Sequence, residues 1–411
     1  MRVLIFSHGH PTFSKGGGEL AAYYLYQGIN ETSDHEAWFV GRAPEGLMHL
    51  GTPIAALNDR EYLIAGNADI LHLTSTIALG EESDFAATLR AIQPDVIHFH
   101  HYTFLGVEMI RAAKRVCPQA RIVLTFHEFI AVCMNNGQMV KTDGRLCHRY
   151  SIRECHLCFP ATKPEDIFLR EQYIRSFFKL VDVFISPSEF LKRRYVAWGL
   201  DESRFQVLEN GLPEGKRVPP RPLHTDEIRG RFAYFGQINP FKGVDVVLEA
   251  FALLPKDIRK QVRLDIFGSR LNTQTPEFQE KIDTLLKKCK DTVRLHGPYE
   301  PEEMGRLMAE VDWVVMGSIW WENSPLVIQE AYKFGRPVIC PDIGGMAEKV
   351  IPGVGGLHYR ARDSVSLASV INRVVEEPCM FDTLHKSLPA YPPVSEVTKK
   401  HIELYEKVKV S

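Results

Sequence analysis

The fold of this chain is decided by one late stretch, which runs Trp320-Trp321-Glu322-Asn323-Ser324-Pro325-Leu326-Val327-Ile328-Gln329-Glu330-Ala331-Tyr332-Lys333-Phe334-Gly335-Arg336-Pro337-Val338-Ile339-Cys340. Ser324 suits a helix N-cap and Pro325 the first helical position, while Gly335 suits the residue just after a helix. The apolar residues 338–340 predict a short buried strand, and the apolar run 311–316 predicts another strand ahead of the helix. This order of strand, loop, capped helix and strand is typical of a parallel α/β sheet.

The loop before this helix is predicted to bind an anion. In a parallel sheet such a loop lies at the carboxyl end of a strand, where ligands bind. The free N–H groups of residues 324–327 and the helix dipole favour a phosphate there. Glu322 and Glu330 flank the site and suit hydroxyl groups, so the pattern predicts a pocket for a sugar nucleotide. The alternative is an ordinary capped helix with two solvated glutamates, because a short spacing of this kind recurs by chance.

The wider spacing resembles the signature of the retaining glycosyltransferases of family 4. Glu322 and Glu330 are followed by Gly335-Arg336-Pro337-Val338, then by Gly344-Gly345 and Glu348. The resemblance implies an α/β protein with the GT-B fold, in which two Rossmann-like domains face each other across a central cleft. It also implies an enzyme of the kind found in bacterial surface polysaccharide assembly.

Length and composition agree with a two-domain globular protein. The chain has 411 residues, which is too long for one ordinary core, and 45% of them are hydrophobic. A net charge of −2 argues against nucleic acid as a partner. No apolar run is long enough to cross a bilayer, and the eight cysteines do not form a secreted disulfide framework at this length. We therefore expect a cytoplasmic protein, and the inner face of the membrane is one location within the cytoplasm that agrees with this expectation.

The domain boundaries follow from composition and from the resemblance. We expect an N-terminal acceptor-side domain over residues 1–212, with a cysteine-containing insert at 130–160. The proline-rich and charged stretch at 213–230 is predicted to be the linker. Residues 231–390 are predicted to form the nucleotide-sugar-binding domain. Residues 391–411 are predicted to form a helix that crosses back to the N-terminal domain, as GT-B chains do.

A glycine-rich loop follows the first predicted strand and opens a helix. Its glycines are consecutive at positions 16–18, which suits close approach of the backbone to a phosphate or a sugar. A flexible turn is the alternative. The resemblance places this loop in the cleft and implies that Gly17 and Gly18 bind the nucleotide-sugar.

Histidines end two predicted strands of the N-terminal half. His98 and His100 lie on one face of a strand, where they form either a metal pair or ordinary strand-end histidines with satisfied hydrogen bonds. His127 ends the strand predicted at 121–126, a position where chemistry often occurs in parallel sheets. The resemblance implies that His127 is a catalytic residue that contacts the transferred sugar.

The family also has a pair of cations for the diphosphate in the loop after the strand predicted at 231–235. Lys242 matches the lysine of that pair, whereas Gln237 stands where arginine is common. The resemblance implies that Lys242 holds the leaving diphosphate, that Glu330 binds the ribose and that Glu322 acts at the donor sugar. It extends the donor site to the backbone of four further residues: Asn323, Ser324, Pro325 and Leu326.

Four cysteines lie in the turn-rich insert: Cys133, Cys147, Cys155 and Cys158. The last two have the spacing of a zinc knuckle, so a structural zinc ion is one hypothesis. The alternative is four reduced thiols. A catalytic metal is not expected, and no cofactor is expected beyond the nucleotide-sugar substrate.

Two helices carry basic and aromatic residues together, including Lys192, Arg194, Tyr195 and Trp198. This pattern is consistent with peripheral contact with an anionic membrane, or with ordinary helices that have a solvated basic face.

The resemblance implies a retaining, metal-independent hexosyltransferase that moves a sugar from a nucleotide-sugar to a glycan or lipid-linked glycan. Two alternatives are a GT-B phosphorylase or epimerase, and a catalytically silent binding protein. Gln237 favours the second of these if donor binding has been lost.

Overall fold

The computed structural model describes residues 1–49, 52–69 and 71–408. The chain divides into two compact units, which we call unit 1 and unit 2. Unit 1 joins Met1–Pro213 to the C-terminal segment that begins at Pro392, and unit 2 is Glu214–Tyr391. The predicted C-terminal helix belongs to unit 1, although residues 409–411 of that prediction lie outside the described residues.

The strands of the described residues are β1 (Arg2–Ser7), β2 (Glu36–Arg42), β3 (Ile54–Ala56), β4 (Glu61–Ile64), β5 (Val96–Phe99), β6 (Arg121–Thr125), β7 (Val183–Ser186), β8 (Phe205–Val207), β9 (Arg231–Phe235), β10 (Arg263–Phe267), β11 (Val293–Gly297), β12 (Trp313–Val315), β13 (Val338–Pro341), β14 (Ile351–Pro352) and β15 (Gly355–Tyr359).

The α-helices of the same residues are α1 (Gly17–Thr32), α2 (Asp84–Ile92), α3 (Glu108–Val116), α4 (Ile152–Cys158), α5 (Pro164–Phe178), α6 (Glu189–Ala197), α7 (Val244–Leu253), α8 (Lys256–Arg259), α9 (Pro276–Lys288), α10 (Met304–Ala309), α11 (Leu326–Lys333), α12 (Gly344–Lys349), α13 (Ser364–Glu376), α14 (Cys379–Lys386) and α15 (Val394–Lys407). No helix in the described ranges has the length and apolar character that crossing a membrane requires.

Unit 1 is built on a sheet with strand order β3-β4-β2-β1-β5-β6-β7-β8. The pairing of β3 with β4 is antiparallel, and the other pairings are parallel. Val3, Leu4 and Ile5 are fully buried, as expected for a central parallel strand covered by helices on both faces. Helix α15 packs on α1, where a Cβ at Gly28 would overlap the hydroxyl of Thr398. The glycine therefore permits close approach of these two helices.

Unit 2 is built on a parallel sheet with order β11-β10-β9-β12-β13-β15-β14. Its core lies on both faces, with Phe232 and Leu264 on one side and Ala233 and Ile328 on the other. Strand β9 comes first in sequence, and the chain adds strands on both sides of it. The loops after β9 and β12 therefore flank the switch point of this sheet, where ligands of open α/β sheets bind.

Residues 214–230 of the predicted linker 213–230 are packed into unit 2. The buried Arg221 donates to Asp312 Oδ2 from Nε at 3.1 Å and from Nη2 at 2.9 Å. The fully buried Arg336 donates to the carbonyl oxygens of Val218 and Pro219 at 3.1 and 3.0 Å. The arginine of the Gly-Arg-Pro-Val sequence thus has a structural role, because it ties this segment to the end of α11.

Helix α11 begins one residue later than the sequence predicts. Pro325, with ψ of 120°, is the N-cap, and Ser324 lies one residue before it. The extended ψ of the proline keeps it out of the helix, so the first helical residue is Leu326. At the other end Gly335 has φ of +79°, the left-handed conformation expected of a glycine just after a helix.

The aromatic residues of α6 that suggested a membrane surface are part of the core. Tyr195 is 0% exposed and Trp198 is 4% exposed. Lys192 forms ion pairs with Glu202 at 3.1 Å and Glu189 at 3.7 Å. Buried aromatic rings cannot enter a bilayer, so these two residues do not support membrane contact by this helix.

Candidate functional site

Three loops of unit 2 meet at the carboxyl ends of β9, β12 and β13. A Cβ at Gly243, in the first loop, would overlap the carbonyl oxygen of Gly317 in the second. A Cβ at Gly345, in the first turn of α12 just after the third loop, would overlap the carbonyl oxygen of Asn323. The N–H of Gly345 also donates to the carbonyl oxygen of Glu322 at 2.6 Å. These glycines allow backbone-to-backbone contact, so the three loops form one continuous surface.

Lys242 and Glu322, both predicted site residues, form an ion pair on this surface. Lys242 Nζ lies 2.6 Å from Glu322 Oε1. The loop that carries the lysine is fixed by Asn239, whose side chain accepts hydrogen bonds from the N–H groups of Phe241 and Lys242 at 3.0 Å. The sequence had suggested both residues as ligands of a sugar nucleotide, but not their contact with each other.

The carboxylate of Glu322 is buried and ionised. Its Oε1 accepts hydrogen bonds from Ser318 Oγ at 2.7 Å and from Trp320 Nε1 at 2.9 Å, besides the contact with Lys242. Burial acts to raise the pKa of this carboxyl, but the Lys242 charge and the three hydrogen bonds outweigh burial and lower the pKa. The partly buried ammonium of Lys242 and the buried carboxylate of Glu322 are therefore held together just before the start of α11.

The remaining predicted donor-site residues lie around the start of α11. Asn323, Ser324 and Pro325 connect Glu322 to the helix, which begins at Leu326. Glu330 lies within the helix, and burial raises the pKa of its carboxyl to about 7, although the charge of Lys333 partly opposes this shift. Unit 2 thus carries the N-terminus of α11, Lys242 and the Glu330 carboxyl, whose pKa is near neutrality.

Loops after β1, β5 and β6 of unit 1 bring four histidines together. His100 Nδ1 and His127 Nε2 lie 3.0 Å apart, and the rings of His101 and His127 are stacked with centroids 4.9 Å apart. His8 contacts His101, with ring centroids 3.6 Å apart. Sequence reasoning had selected His127 but missed His8 and His101. The signal that could have found them is their common position just after a buried parallel strand.

Burial keeps His127, His100 and His101 uncharged. It lowers the pKa of His127 to about 3, with a further contribution from His8 and an opposing one from Glu19. The pKa values of His100 and His101 are also well below the usual range, because the rings are buried next to other imidazoles. At neutral pH His127 is therefore a neutral hydrogen-bonding group.

His98 is a satisfied core histidine rather than part of a metal pair. Its Nδ1 lies 2.7 Å from the hydroxyl of Tyr405 on α15, and its Nε2 lies 2.7 Å from Thr125 Oγ1. Both ring nitrogens are thus engaged in hydrogen bonds within unit 1.

The glycine-rich loop of unit 1 is folded around a carboxylate of the protein. Glu19 accepts hydrogen bonds from Ser14 Oγ at 2.7 Å and from His8 Nε2 at 3.3 Å. Burial acts to raise the pKa of Glu19, but these partners outweigh burial and lower it to about 2. Gly17 is the first residue of α1, and a Cβ at Gly18 would overlap His101. Glu19, which sequence reasoning missed, supplies the anion beside this helix N-terminus.

The four cysteines of the insert line one cavity of about 20 Å³. Across the described ranges, however, no three His, Cys, Asp or Glu side chains are arranged to hold a metal ion. Burial raises the pKa of Cys133 and Cys147, and it raises that of Cys155 to about 12. The arrangement does not support the predicted zinc site and favours the alternative of reduced structural thiols.

Comparison with known proteins follows the division into two units. The model described as Glycosyltransferase Family 4 matches residues 15–215, and the model described as Glycosyl transferases group 1 matches residues 221–388. A lipopolysaccharide 1,2-N-acetylglucosaminetransferase of Salmonella typhimurium is 28% identical over 47% of this chain and 53% of its own length. A D-inositol 3-phosphate glycosyltransferase of Xylanimonas cellulosilytica is 26% identical over 69% of this chain and 64% of its own length. The chain therefore spans only about half to two thirds of these curated relatives.

Solved structures share the fold over nearly the whole chain. Anabaena HepE in complex with UDP and glucose has a TM-score of 0.67 at 17% identity, and the match covers 99% of each chain. Sucrose-phosphate synthase of Thermosynechococcus elongatus has a TM-score of 0.69 at 18% identity, and the match covers 99% of this chain and 98% of that one. The predicted fold class is confirmed, and the two family models together account for most of both units. The chain belongs to glycosyltransferase family 4 and has the GT-B fold.

Proposed function

We propose that the protein transfers a sugar from a nucleoside-diphosphate sugar to a hydroxyl group of an acceptor. The observation that carries this proposal is the paired Lys242 and Glu322 beside the N-terminus of α11, on the surface formed by three loops of unit 2. A lysine and a helix N-terminus at one point suit a diphosphate. The HepE structure contains UDP and glucose, which supports UDP-sugars as the first donors to test.

In this proposal unit 2 binds and stabilises the leaving group. Lys242 and the N–H groups at the start of α11 stabilise the negative charge that develops on the diphosphate as the glycosidic bond breaks. Lys242 thereby supplies positive charge that a metal ion supplies in other transferases, so we propose metal-independent catalysis. Glu330 accepts hydrogen bonds from the ribose hydroxyls. Glu322 and the backbone of residues 323–326 contact the donor sugar.

The stereochemical course is proposed to be retention, as expected for this family. His127 is proposed to orient the transferred sugar through a neutral hydrogen bond, since its pKa of about 3 excludes a charged imidazole at neutral pH. The anomeric configuration of the product, observed by NMR, tests retention directly. An inverted product would overturn this part of the proposal.

For the acceptor we propose a glycan or lipid-linked glycan. The support is the similarity to a transferase whose name specifies lipopolysaccharide. We also propose a cytoplasmic location, because the eight cysteines are free thiols in the structure, as in proteins of reducing compartments.

The deciding experiment measures sugar transfer and donor hydrolysis with a panel of UDP-sugars and other nucleotide-sugars. We expect binding and turnover of at least one donor, and a marked reduction of both in Lys242→Met. Donor binding without transfer or hydrolysis would favour the silent binding protein instead. Phosphate-dependent release of sugar would favour a phosphorylase.

A further inference from the structure

Trp320 contacts both members of the ion pair in unit 2. Its indole Nε1 donates to Glu322 Oε1 at 2.9 Å, and Lys242 Nζ lies 5.6 Å from the centroid of its ring. The ring also contacts Phe241, with centroids 6.3 Å apart. One side chain therefore offers a hydrogen-bond donor to the carboxylate and a π face to the ammonium.

The loops that carry these residues are fixed to each other. The N–H of Ile319 donates to the carbonyl oxygen of Phe241 at 2.9 Å, next to the close contact of Gly243 with Gly317. The indole therefore approaches Lys242 and Glu322 from a rigid backbone. The lysine, in contrast, has a flexible stem whose ammonium can turn between partners.

Glu322 Oε1 receives three donors, and two of them are neutral: Ser318 Oγ and Trp320 Nε1. A lysine that also serves a diphosphate must turn at least partly away from this carboxylate. When it does, the two neutral donors still hold the oxygen in place. The indole N–H is fixed by its ring, whereas the serine hydroxyl can rotate to other acceptors.

We propose that Trp320 is a positioning residue that keeps the Glu322 carboxylate in place while Lys242 exchanges from this carboxylate to the donor diphosphate. The inference rests on the proposed function of the same site. It adds a residue that lies two positions before Glu322 and does not need to touch the substrate. Without the indole N–H, the carboxylate competes more strongly for Lys242, and its orientation towards the sugar is less well defined.

The primary test is Trp320→Phe, which removes the donor and keeps an aromatic face. With UDP-glucose, or with the best donor of the panel, we expect kcat/KM to fall about tenfold, the lower range for a hydrogen bond to a charged group. We also expect the acid limb of the pH profile of kcat/KM, recorded in the Glu330→Gln background, to move to higher pH, since a donor to the Glu322 carboxylate has been lost. The matched control is Trp38→Phe in unit 1, where Arg60 lies 5.4 Å from the tryptophan ring centroid.

A double-mutant cycle with Glu322→Gln separates positioning from a general structural role. If Trp320 acts through Glu322, Trp320→Phe should change kcat/KM less than twofold in the Glu322→Gln background. A full tenfold effect in that background, or a single variant within twofold of wild type, would overturn the proposal. Thermal unfolding of each variant checks that the fold is intact. If Trp320→Phe does not fold, the less disruptive substitution Trp320→Tyr replaces it.

UDP binding by the wild-type protein distinguishes failure of the proposed function from failure of the role of Trp320 alone. If wild type neither binds UDP nor turns over any donor, the proposed function fails. If wild type binds and transfers while Trp320→Phe behaves like wild type, only the role of Trp320 fails.

Discussion

The two candidate regions of this molecule use opposite electrostatics. In unit 2 the buried carboxylate of Glu322 is charged and pairs with the partly buried Lys242, and its partners lower its pKa. In unit 1 buried imidazoles are neutral, with the pKa of His127 lowered to about 3. Charged groups suit a diphosphate, and neutral donors and acceptors suit sugar hydroxyls. The proposed function accordingly assigns the diphosphate to the charged groups of unit 2 and the sugar hydroxyls to the neutral groups of unit 1.

The largest effect is expected when the charge in unit 2 is removed. Lys242→Met should lower kcat about 100-fold or more, because one preorganised group at a developing negative charge contributes on that scale. UDP affinity should fall as well, and Lys242→Arg should recover part of both. The control is Lys281→Met in the same unit, since Lys281 is 46% exposed and pairs with Asp245 and Glu249. Wild-type kinetics in Lys242→Met would contradict the assignment of the diphosphate to Lys242.

A smaller effect is expected when a histidine of the uncharged cluster in unit 1 is replaced. His127→Ala should lower kcat about tenfold, the scale of a hydrogen bond, while UDP affinity stays within twofold because the nucleotide is proposed to bind in unit 2. Wild-type activity should show no titration of His127 between pH 5 and 9, because its pKa of about 3 lies well below this window. His72→Ala, at a side chain 43% exposed, is the matched control. A large loss of UDP affinity in His127→Ala would contradict the division of roles.

The titration of Glu330 offers a finer test within unit 2. Its folded-state pKa of about 7 means that the carboxyl is mostly protonated below that pH and mostly ionised above it. If the carboxylate accepts hydrogen bonds from the ribose, UDP affinity should rise several-fold between pH 6 and 8. Glu330→Gln should abolish this component, and the variant also corrects for titration of the UDP phosphate. Identical pH dependence in the two proteins, measured by calorimetry, would exclude the ribose assignment.

The smallest effect is expected in the cysteine insert, where neither kind of site is formed. At pH 7 the partly buried thiols of Cys133, Cys147 and Cys155 should react slowly with a thiol reagent, because partial burial raises their pKa values. Exposed Cys379 serves as the fast internal reference. Cys155→Ser should change kcat/KM less than twofold. One tightly bound zinc per purified chain, with protein unfolding on chelation, would contradict the structural-thiol interpretation.

Local sequence rules predicted several features of the fold and site. Gly335 ends α11 in the left-handed conformation, and the shift of the helix start by one residue reflects only the extended ψ of Pro325. His127 was found because it follows a buried strand, and Glu322 because of its spacing from Glu330. The cysteine spacing, by contrast, suggested a zinc site that the side-chain arrangement does not support. Spacing along a chain specifies which residues share an element, but it does not specify how side chains of different elements converge.

What the sequence determined by itself is therefore the order of strands and helices, the α/β class and the family, since these depend on local propensity, hydrophobic pattern and motif spacing. Tertiary structure alone decided which side chains of the candidate sites contact each other. Lys242 and Glu322 meet because β9 and β12 are neighbours in the sheet, and His100 meets His127 because β5 pairs with β6. It also decided protonation, because burial sets the pKa of a carboxyl or an imidazole and depends on contacts between residues far apart in the chain.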